Sequence, residues 1–226
     1  KRQLFTVNIK DNALVLLKFI EDLSNLAKIE TGKFKILNTA FSLNDFLLQI
    51  ITICESELDK AGKKHVQVVP DIDSSINIVF SDRYRLKQVF VKLIENAVKY
   101  TEYGSITIGY KFNENNGTIL FYVKDTGIGI PENQSHHIFE KYKYLTRTDK
   151  KNTGFGLAVC RGIIGELKGE IWMESIDGSG TTVFFNVKYL TPAIENQIKE
   201  TTHYNWADKL FLVADDEEIN KVLIKE

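Results

Sequence analysis

The chain has 226 residues, of which 43% are hydrophobic and 26% charged, with only 3 prolines. This length and composition predict one complete globular core with shorter appended segments, and they exclude a disordered or low-complexity chain. The 29 basic residues nearly balance the 30 acidic ones, so a net charge of −1 offers no overall field that would attract nucleic acid or an anionic membrane. The longest aliphatic run, residues 13–17, is far shorter than the roughly 20 residues that cross a bilayer, so we expect a cytoplasmic protein.

The N-terminal segment carries a heptad seam. Its apolar residues recur with alternating spacings of four and three, at Ile9, Ala13, Leu16, Ile20, Leu23 and Ala27. This pattern predicts one long amphipathic helix that ends near Gly32, a residue suited to the left-handed conformation at a helix end. Such a stripe cannot be buried by the helix alone, so we expect it to pair with another helix or with a second copy.

Helices and strands then follow in mixed order. The patterns predict helices over 43–60, 82–100 and 155–167, and strands over 66–69, 76–80, 105–112, 119–124, 170–175 and 181–187. Ser42 or Asn44 is expected to cap the first of these helices, and Cys54 and Cys160 are expected to be buried thiols. Because strands and helices do not alternate strictly, the order predicts an α+β fold in the form of a two-layer α/β sandwich.

Two glycine motifs follow predicted strands or open predicted helices. In the first, Asp125 precedes Gly127 and Gly129, so a carboxylate at a strand end could accept a hydrogen bond from an exocyclic amine, although a simple tight turn has the same pattern. In the second, Gly154 and Gly156 open a helix, which suits either an anion site or a helix start packed on the sheet. Neither motif is a Walker A or a G-x-G-x-x-G dinucleotide sequence.

A polar face on the helix over 82–100 is the third candidate. Lys92, Asn96 and Lys99 share this face by their spacing of four and three, and Tyr100 follows. An amide oxygen is a reasonable Mg²⁺ ligand beside a triphosphate, and a lysine can neutralise a phosphate, although a helical Asn is more often simply solvated.

Taken in order, these segments resemble the sequence boxes of sensor histidine kinases. The matching stretches are Leu86–Thr101 for the N box, Asp125–Gly129 for the G1 box, Ile138–Tyr142 for the F box, Thr153–Leu157 for the G2 box and Gly178–Thr182 for the last glycine box. Each stretch is weak alone, and the five in order are specific. The resemblance implies the Bergerat ATP-binding fold of the GHKL superfamily and a catalytic and ATP-binding domain.

The flanking segments are similar to other parts of hybrid two-component kinases. Residues 19–32 look like the end of the second helix of a dimerisation and phosphotransfer hairpin, and residues 211–220 look like the start of a receiver domain. The resemblance implies a hairpin helix over 1–32, a catalytic domain over 33–189, a linker over 190–207 and a truncated receiver over 208–226. It also implies a parent protein, possibly membrane-anchored, that forms a homodimer through the hairpin and signals to a receiver domain or response regulator.

The same resemblance assigns expected roles to individual residues around ATP and Mg²⁺. At the base end, Asp125 would hold the adenine amine, Gly127 and Gly129 would shape the pocket, and Thr182 would support it from its strand. At the phosphate end, Asn96 would bind Mg²⁺, Lys99 and Tyr100 would lie near the phosphates or ribose, and Gly154, Gly156 and Leu157 would line the phosphate side. The polar stretch from Pro131 to Thr153 would be an ATP lid anchored by Phe139.

Lys92 departs from the family pattern, which usually has Asn at this position. We expect its ammonium either to grip the triphosphate or to swing into water. A protonated lysine cannot act as the general base of the hydrolytic relatives, and Glu95 lies about 100° around the helix from Asn96, so ATP hydrolysis is disfavoured.

The phospho-acceptor histidine is also missing from the pattern. None of His65, His136, His137 and His203 has the sequence context of the acceptor. We therefore expect a protein histidine kinase domain, with Asn96 and Lys99 as catalytic residues, that transfers the γ-phosphoryl group to a histidine outside this chain and does not phosphorylate itself. The alternative is a degenerate module that binds ATP, without efficient transfer, for sensing or scaffolding.

Overall fold

The computed structural model describes residues 2–73, 75–131, 138–139 and 155–190. Its helices are α1 (Arg2–Glu30), α2 (Leu43–Lys60), α3 (Arg83–Tyr100) and α4 (Gly156–Glu166). Its strands are β1 (Thr39–Ser42), β2 (Gln67–Ile72), β3 (Ile78–Ser81), β4 (Ser105–Asn113), β5 (Thr118–Asp125), β6 (Ile171–Ile176) and β7 (Gly180–Lys188). All described residues fall in one compact unit, Lys1–Pro192.

Local sequence signals explain where the helices begin. The hydroxyl of Ser42 accepts a hydrogen bond from the Asp45 amide and caps α2. The carboxylate of Asp82 does the same for α3, accepting from the Arg85 amide at 3.0 Å. Each side chain satisfies a first-turn amide that has no partner within the helix, so both helices begin where the chain offers a cap.

The main sheet has five strands in the order β2-β4-β5-β7-β6. Neighbouring strands are antiparallel except for β2 and β4, which are parallel, so the sheet is mixed. Strands β1 and β3 form a separate antiparallel pair. Helices α2, α3 and α4 pack against the sheet, which produces the expected α+β fold.

An aromatic cluster joins the helix layer to the sheet. Phe121 and Phe185 are direct cross-strand partners on β5 and β7, and their rings stack with centroids 5.0 Å apart. Phe90 of α3 meets both rings edge-on, at 5.7 and 5.2 Å. All three side chains are completely buried, so the position of α3 is fixed by the largest apolar groups of the core.

The structure confirms most of the predicted elements and adds two features. Strand β1 was not predicted, because its four residues show no alternation of apolar and polar side chains. The parallel pairing of β2 with β4 also went unforeseen, since pairing between distant strands is not encoded in local pattern. Of the predicted linker only Leu190 is described, and the predicted receiver segment lies outside the described residues.

Candidate functional site

Asp125 stands at the end of a buried row on β5. Ile119, Phe121 and Val123 of this row face the helices, and because side chains alternate along a strand, Asp125 shares their face. The strand therefore presents a carboxylate to the space between the sheet and the helix layer, at the point where apolar side chains stop.

The Asp125 carboxylate is held by backbone. Its Oδ1 accepts hydrogen bonds from the amide of Gly127 at 2.9 Å and from the amide of Thr181 at 3.3 Å. Burial raises the pKa of this carboxyl above its ordinary value, and the two amide donors oppose that shift. Among the described residues both bonds end on Oδ1, which leaves Oδ2 available to accept from a ligand.

The turn after β5 is joined to the C-terminal end of α3. The carbonyl oxygen of Tyr100 accepts a hydrogen bond from the Ile128 amide at 3.3 Å. A Cβ atom on Gly127 would lie 2.4 Å from the same oxygen, so the two segments can approach only because this residue is glycine. Since Asn96 lies one turn before Tyr100 on α3, the structure brings the Asp125 turn and the Asn96 helix together.

Gly129 is required for a different reason. Its φ is +68°, and a Cβ atom there would lie 2.0 Å from the carbonyl oxygen of Ile176 at the end of β6. The next turn is bonded to this segment, because the Gly178 amide donates to the Ile128 carbonyl at 2.7 Å. The predicted base end of the site is thus enclosed by backbone from three segments of the chain.

A hydroxyl pair beside Asp125 was missed at the sequence level. Ser175 Oγ accepts from the Ile130 amide at 2.8 Å and lies 2.8 Å from Thr181 Oγ1. Strand register pairs Asp125 with Thr181 and Lys124 with Thr182. The strand residue that contacts Asp125 is therefore Thr181, whereas Thr182, the predicted support, lies on the opposite face of the sheet.

The polar end of α3 carries the other predicted residues. Asn96 is half-buried, and Tyr100 is 39% exposed. The Lys99 ammonium donates to the Tyr100 hydroxyl at 3.1 Å and lies 4.7 Å from the centre of the ring. These side chains stand at the surface of the same end of α3 that contacts the Asp125 turn.

Lys63 stabilises this end of α3 and was also missed. Its ammonium donates to the carbonyls of Val98, Lys99 and Thr101 at 2.9 to 3.2 Å, and to Glu102 Oε1 at 2.7 Å. A cation on the last carbonyls of a helix satisfies acceptors that have no partner within the helix, and it interacts favourably with the helix dipole. No local pattern could reveal it, because Lys63 lies more than 30 residues away in sequence.

Lys92 does not extend into water, which was one of its two expected positions. Its ammonium lies 2.5 Å from Asp22 Oδ1 on α1, and the two side chains are 15% and 4% exposed. The attraction of a buried carboxylate explains why the lysine stays at the protein surface of α1 rather than in solvent. Glu95, the acidic residue that follows Lys92 on α3, also pairs with α1: its Oε1 lies 2.6 Å from the ammonium of Lys18.

The predicted phosphate side is described only in part. Gly156 begins α4, and the side chain of the preceding residue, Phe155, makes no capping hydrogen bond. Leu157 is half-buried behind it. Phe139 is described and half-buried, whereas Gly154 and most of the predicted lid lie outside the described residues.

The described residues contain neither a metal-binding cluster nor a membrane-spanning helix. No cluster of three or more His, Cys, Asp or Glu side chains that could hold a metal ion occurs among them. Within the same part of the chain, no helix is long and apolar enough to span a membrane.

The class of this domain follows from its fold, its site and one family match. Residues 81–191 match the family described as histidine kinase-, DNA gyrase B-, and HSP90-like ATPase, which covers the Asp125 turn, Asn96 and the start of α4. The domain is an ATP-binding domain of the GHKL type.

Proteins similar to this chain indicate which kind of ATP-binding domain it is. The chain is 31% identical over 193 residues to the hybrid signal transduction protein dokA of Dictyostelium discoideum, covering 80% of this chain and 11% of dokA. It is 32% identical over 179 residues to the circadian input-output histidine kinase CikA of Synechococcus elongatus, covering 77% of this chain and 23% of CikA. The histidine kinase AdeS of Acinetobacter baumannii has a similar structure, with a TM-score of 0.67, 25% identity, and coverage of 84% of this chain and 86% of that one.

The domain is therefore a histidine kinase catalytic, ATP-binding domain of two-component signal transduction. The chain spans 11% of the length of dokA and 23% of that of CikA.

Proposed function

We propose that this domain binds Mg-ATP between Asp125 and Asn96 and transfers the γ-phosphoryl group to a histidine that lies outside this chain, in a hybrid sensor kinase. The observation that carries the proposal is the joint at Tyr100, where the carbonyl of the Asn96 helix contacts the turn that holds Asp125. A single nucleotide can span two groups that are joined in this way.

At the base end, Asp125 would accept a hydrogen bond from the adenine amine. The Gly127 and Thr181 amides already orient the carboxylate through Oδ1, so little reorganisation is needed when Oδ2 meets a donor. Gly127 and Gly129 keep the walls of this pocket as backbone, which allows a flat ring to approach closely.

At the phosphate end, Asn96 would supply an amide oxygen to Mg²⁺, and Lys99 and Tyr100 would contact the phosphates or ribose. An amide is a hard oxygen ligand, and Mg²⁺ in nucleotide sites commonly takes few protein ligands because the phosphates supply the rest. The N–H groups at the start of α4, with Gly154, Gly156 and Leu157, would face the phosphates.

The charges around α3 favour transfer over hydrolysis. A hydrolytic enzyme needs a group that removes a proton from water, yet Lys92 and Glu95 are both engaged in ion pairs with α1. An imidazole attacks without such a base, so positioning and charge stabilisation are enough. The alternative, a degenerate module that binds ATP without efficient transfer, depends on Lys92 blocking Mg²⁺. The ion pair of Lys92 with Asp22 argues against such a block.

Helix α1 supports a dimer through its exposed seam. Leu16, Ile20 and Leu23 are 58%, 53% and 44% exposed, and they belong to the predicted heptad pattern. The opposite face of α1 packs on the catalytic domain. A second hairpin would cover the exposed row, as in the dimeric parent that we propose, which would signal to a receiver domain or response regulator.

Asn96→Ala tests the proposal. We expect the variant to lose the increase in ATP affinity that Mg²⁺ gives the unmodified domain, and to lose transfer to a histidine-bearing hairpin added in trans. The control is Asn115→Ala in the exposed β4–β5 loop, which should change neither. Calorimetry that finds equal Mg²⁺-dependent affinity in both variants would remove Asn96 from the metal site, and ATP binding without any transfer would favour the sensing module.

A further inference from the structure

The five-stranded sheet has one face that the proposed nucleotide site does not use. Side chains alternate along each strand, so Phe121 and Phe185 face the helix layer, whereas Tyr122 and Phe184 face the other way. Helix α3 packs on Phe121, and helices α2 and α4 pack beside α3. The described helices therefore leave the opposite face uncovered, and we call it the outer face of the sheet.

A row of aromatic side chains crosses the outer face. The strand register places five residues side by side, one on each strand: Asp71, Gly109, Tyr122, Phe184 and Trp172. The rings of Trp172 and Phe184 are stacked, with centroids 5.5 Å apart, and the ring of Tyr122 follows at 6.1 Å from Phe184. A sheet face that meets only water usually carries polar side chains, so three adjacent rings indicate a contact surface.

The aromatic row lies low on the sheet at its Tyr122 end. The Tyr122 hydroxyl reaches across β4 and donates a hydrogen bond to the carboxylate of Asp71 on β2. A Cβ atom on Gly109 would lie 2.7 Å from this hydroxyl oxygen, so the ring can cross β4 only because this residue is glycine. Since the hydroxyl has its partner within the chain, the ring can offer an apolar side to another protein surface.

The neighbouring row on the outer face ends in opposite charges. Thr182 of β7 has Lys124 of β5 on one side and Glu174 of β6 on the other. Both charged residues are exposed, and neither forms an ion pair within the described part of the chain. The middle residue of this row and the middle ring of the aromatic row, Phe184, both lie on β7.

These two rows are complementary to themselves. Strands β5 and β6 lie on opposite sides of β7, each about 4.8 Å away, so a two-fold axis along β7 exchanges their positions. A second copy turned about this axis would place its Glu174 opposite Lys124. The same rotation would place its Trp172 opposite Tyr122, and the two Phe184 rings opposite each other. Opposite charges and aromatic rings then face each other across two aligned sheets.

We propose that the outer face of the sheet is a self-association surface, which joins the catalytic domains of two copies of this chain about a two-fold axis along β7. We call this surface the β7 interface. It is separate from the exposed seam of α1, so a chain that uses both surfaces would join dimers into larger assemblies. The proposal goes beyond the proposed function, because the nucleotide site lies on the helix side of the sheet.

Sedimentation of the full chain measures the β7 interface once the α1 seam has been disabled. Leu16→Lys/Leu23→Lys places two charges at exposed positions of the seam, and this double variant is the background for every measurement below. We expect the background to form a dimer reversibly as its concentration rises. A background that stays monomeric up to its solubility limit would overturn the proposal.

Charge reversal locates the contact. Lys124→Glu and Glu174→Lys each replace two ion pairs per dimer with two contacts between like charges, so each should weaken dimerisation at least about tenfold. Lys111→Glu is the matched control, since it makes the same change of charge at an exposed position of the outer face. Lys111 lies on β4, and the position opposite it falls beyond β6 of the second copy, so dimerisation should change less than about threefold.

A mixture of the two single variants identifies the occupant as a second copy. In a mixed dimer of Lys124→Glu with Glu174→Lys, both contacts again join opposite charges. We expect an equimolar mixture to associate at least about tenfold more tightly than either variant alone. A partner of another kind, or contact through another face, would give no such recovery, and a mixture that associates no better than its components would overturn the proposal.

The aromatic row has its own test. Trp172→Thr removes the ring that should face Tyr122 of the second copy but keeps a side chain that suits a strand, so dimerisation should weaken at least about tenfold. Unchanged dimerisation in a folded variant would overturn the proposal. The charge variants, which change exposed residues, decide the matter if Trp172→Thr does not fold. These measurements need no nucleotide, so their outcome is independent of the proposed function.

Discussion

The proposed base end and the proposed phosphate end of the nucleotide site are constructed differently. The base end is enclosed by backbone, since carbonyls of Tyr100 and Ile176 lie where Cβ atoms of Gly127 and Gly129 would stand. The phosphate end consists of half-exposed side chains on α3 and the start of α4, where a Cβ atom on Gly156 would meet nothing within 4 Å among the described residues. The described backbone thus encloses the proposed base pocket, whereas the described part of the proposed phosphate end leaves space beside Gly156.

The largest loss of stability and of ATP binding should come from adding a methyl group at the proposed base end. Gly129→Ala places a Cβ atom 2.0 Å from the Ile176 carbonyl oxygen at a φ of +68°, so the turn must move. We expect a loss of about 3 kcal/mol in the free energy of unfolding, together with loss of ATP binding. Urea denaturation and calorimetry measure the two effects.

The matched change at the phosphate end is Gly156→Ala. There the methyl group would meet none of the described residues within 4 Å at the first position of a helix, so stability should fall by no more than about 0.5 kcal/mol or rise slightly. ATP affinity should still fall while adenosine affinity is unchanged, since only the phosphates lie on that side. Equal destabilisation by the two substitutions would show that both ends are equally closed.

Asp125→Asn tests the proposed base end separately from the proposed phosphate end. A hydrogen bond to a charged acceptor contributes about 1.5 to 3 kcal/mol, so the affinities for ATP and for adenosine should fall by about tenfold to a hundredfold. Thr182→Ala, on the other face of the sheet, should leave both affinities nearly unchanged. An ATP affinity that falls while adenosine binding is retained would place the base elsewhere.

ATP affinity of the unmodified domain should depend on pH, and the direction of this dependence follows from Asp125. Burial raises the pKa of the Asp125 carboxyl, and an adenine amine favours its ionised form, so binding releases a proton. Affinity should therefore fall as pH decreases through the raised pKa, beginning above the pH at which an ordinary carboxyl titrates. Asp125→Asn, measured in parallel, supplies the baseline for titration of the nucleotide itself.

The smallest loss of ATP affinity should come from removing a single charge at the proposed phosphate end. Lys99→Met keeps the apolar stem but removes the ammonium near Tyr100, which should weaken ATP binding about threefold at low salt and hardly at all at high salt, because exposed charges are screened. Lys87→Met, at an exposed position earlier on α3, is the control. An effect of Lys99→Met that persists in high salt would indicate a more enclosed phosphate end than the structure describes.

The features that could be predicted are those that depend on residues close together in the sequence. The apolar row of α3, the cap at Ser42 and the turn after Asp125 each depend on residues within one turn or strand of each other, and all three are confirmed. The partners of Lys92 and Lys63 were missed because they come from segments 70 and 35 residues away. The resemblance points to Thr182, whereas the structure places Thr181 beside Asp125, because a difference of one residue along a strand moves a side chain to the opposite face.

The burial of the two thiols has a consequence for the domain under oxidative stress. Loss of hydration raises the pKa of both Cys54 and Cys160 to about 12, so almost no thiolate exists at physiological pH. Peroxide reacts with the thiolate, and neither sulfur can be reached by solvent in the folded chain. Oxidants should therefore not alter the activity of this domain through Cys54 or Cys160 while the chain stays folded.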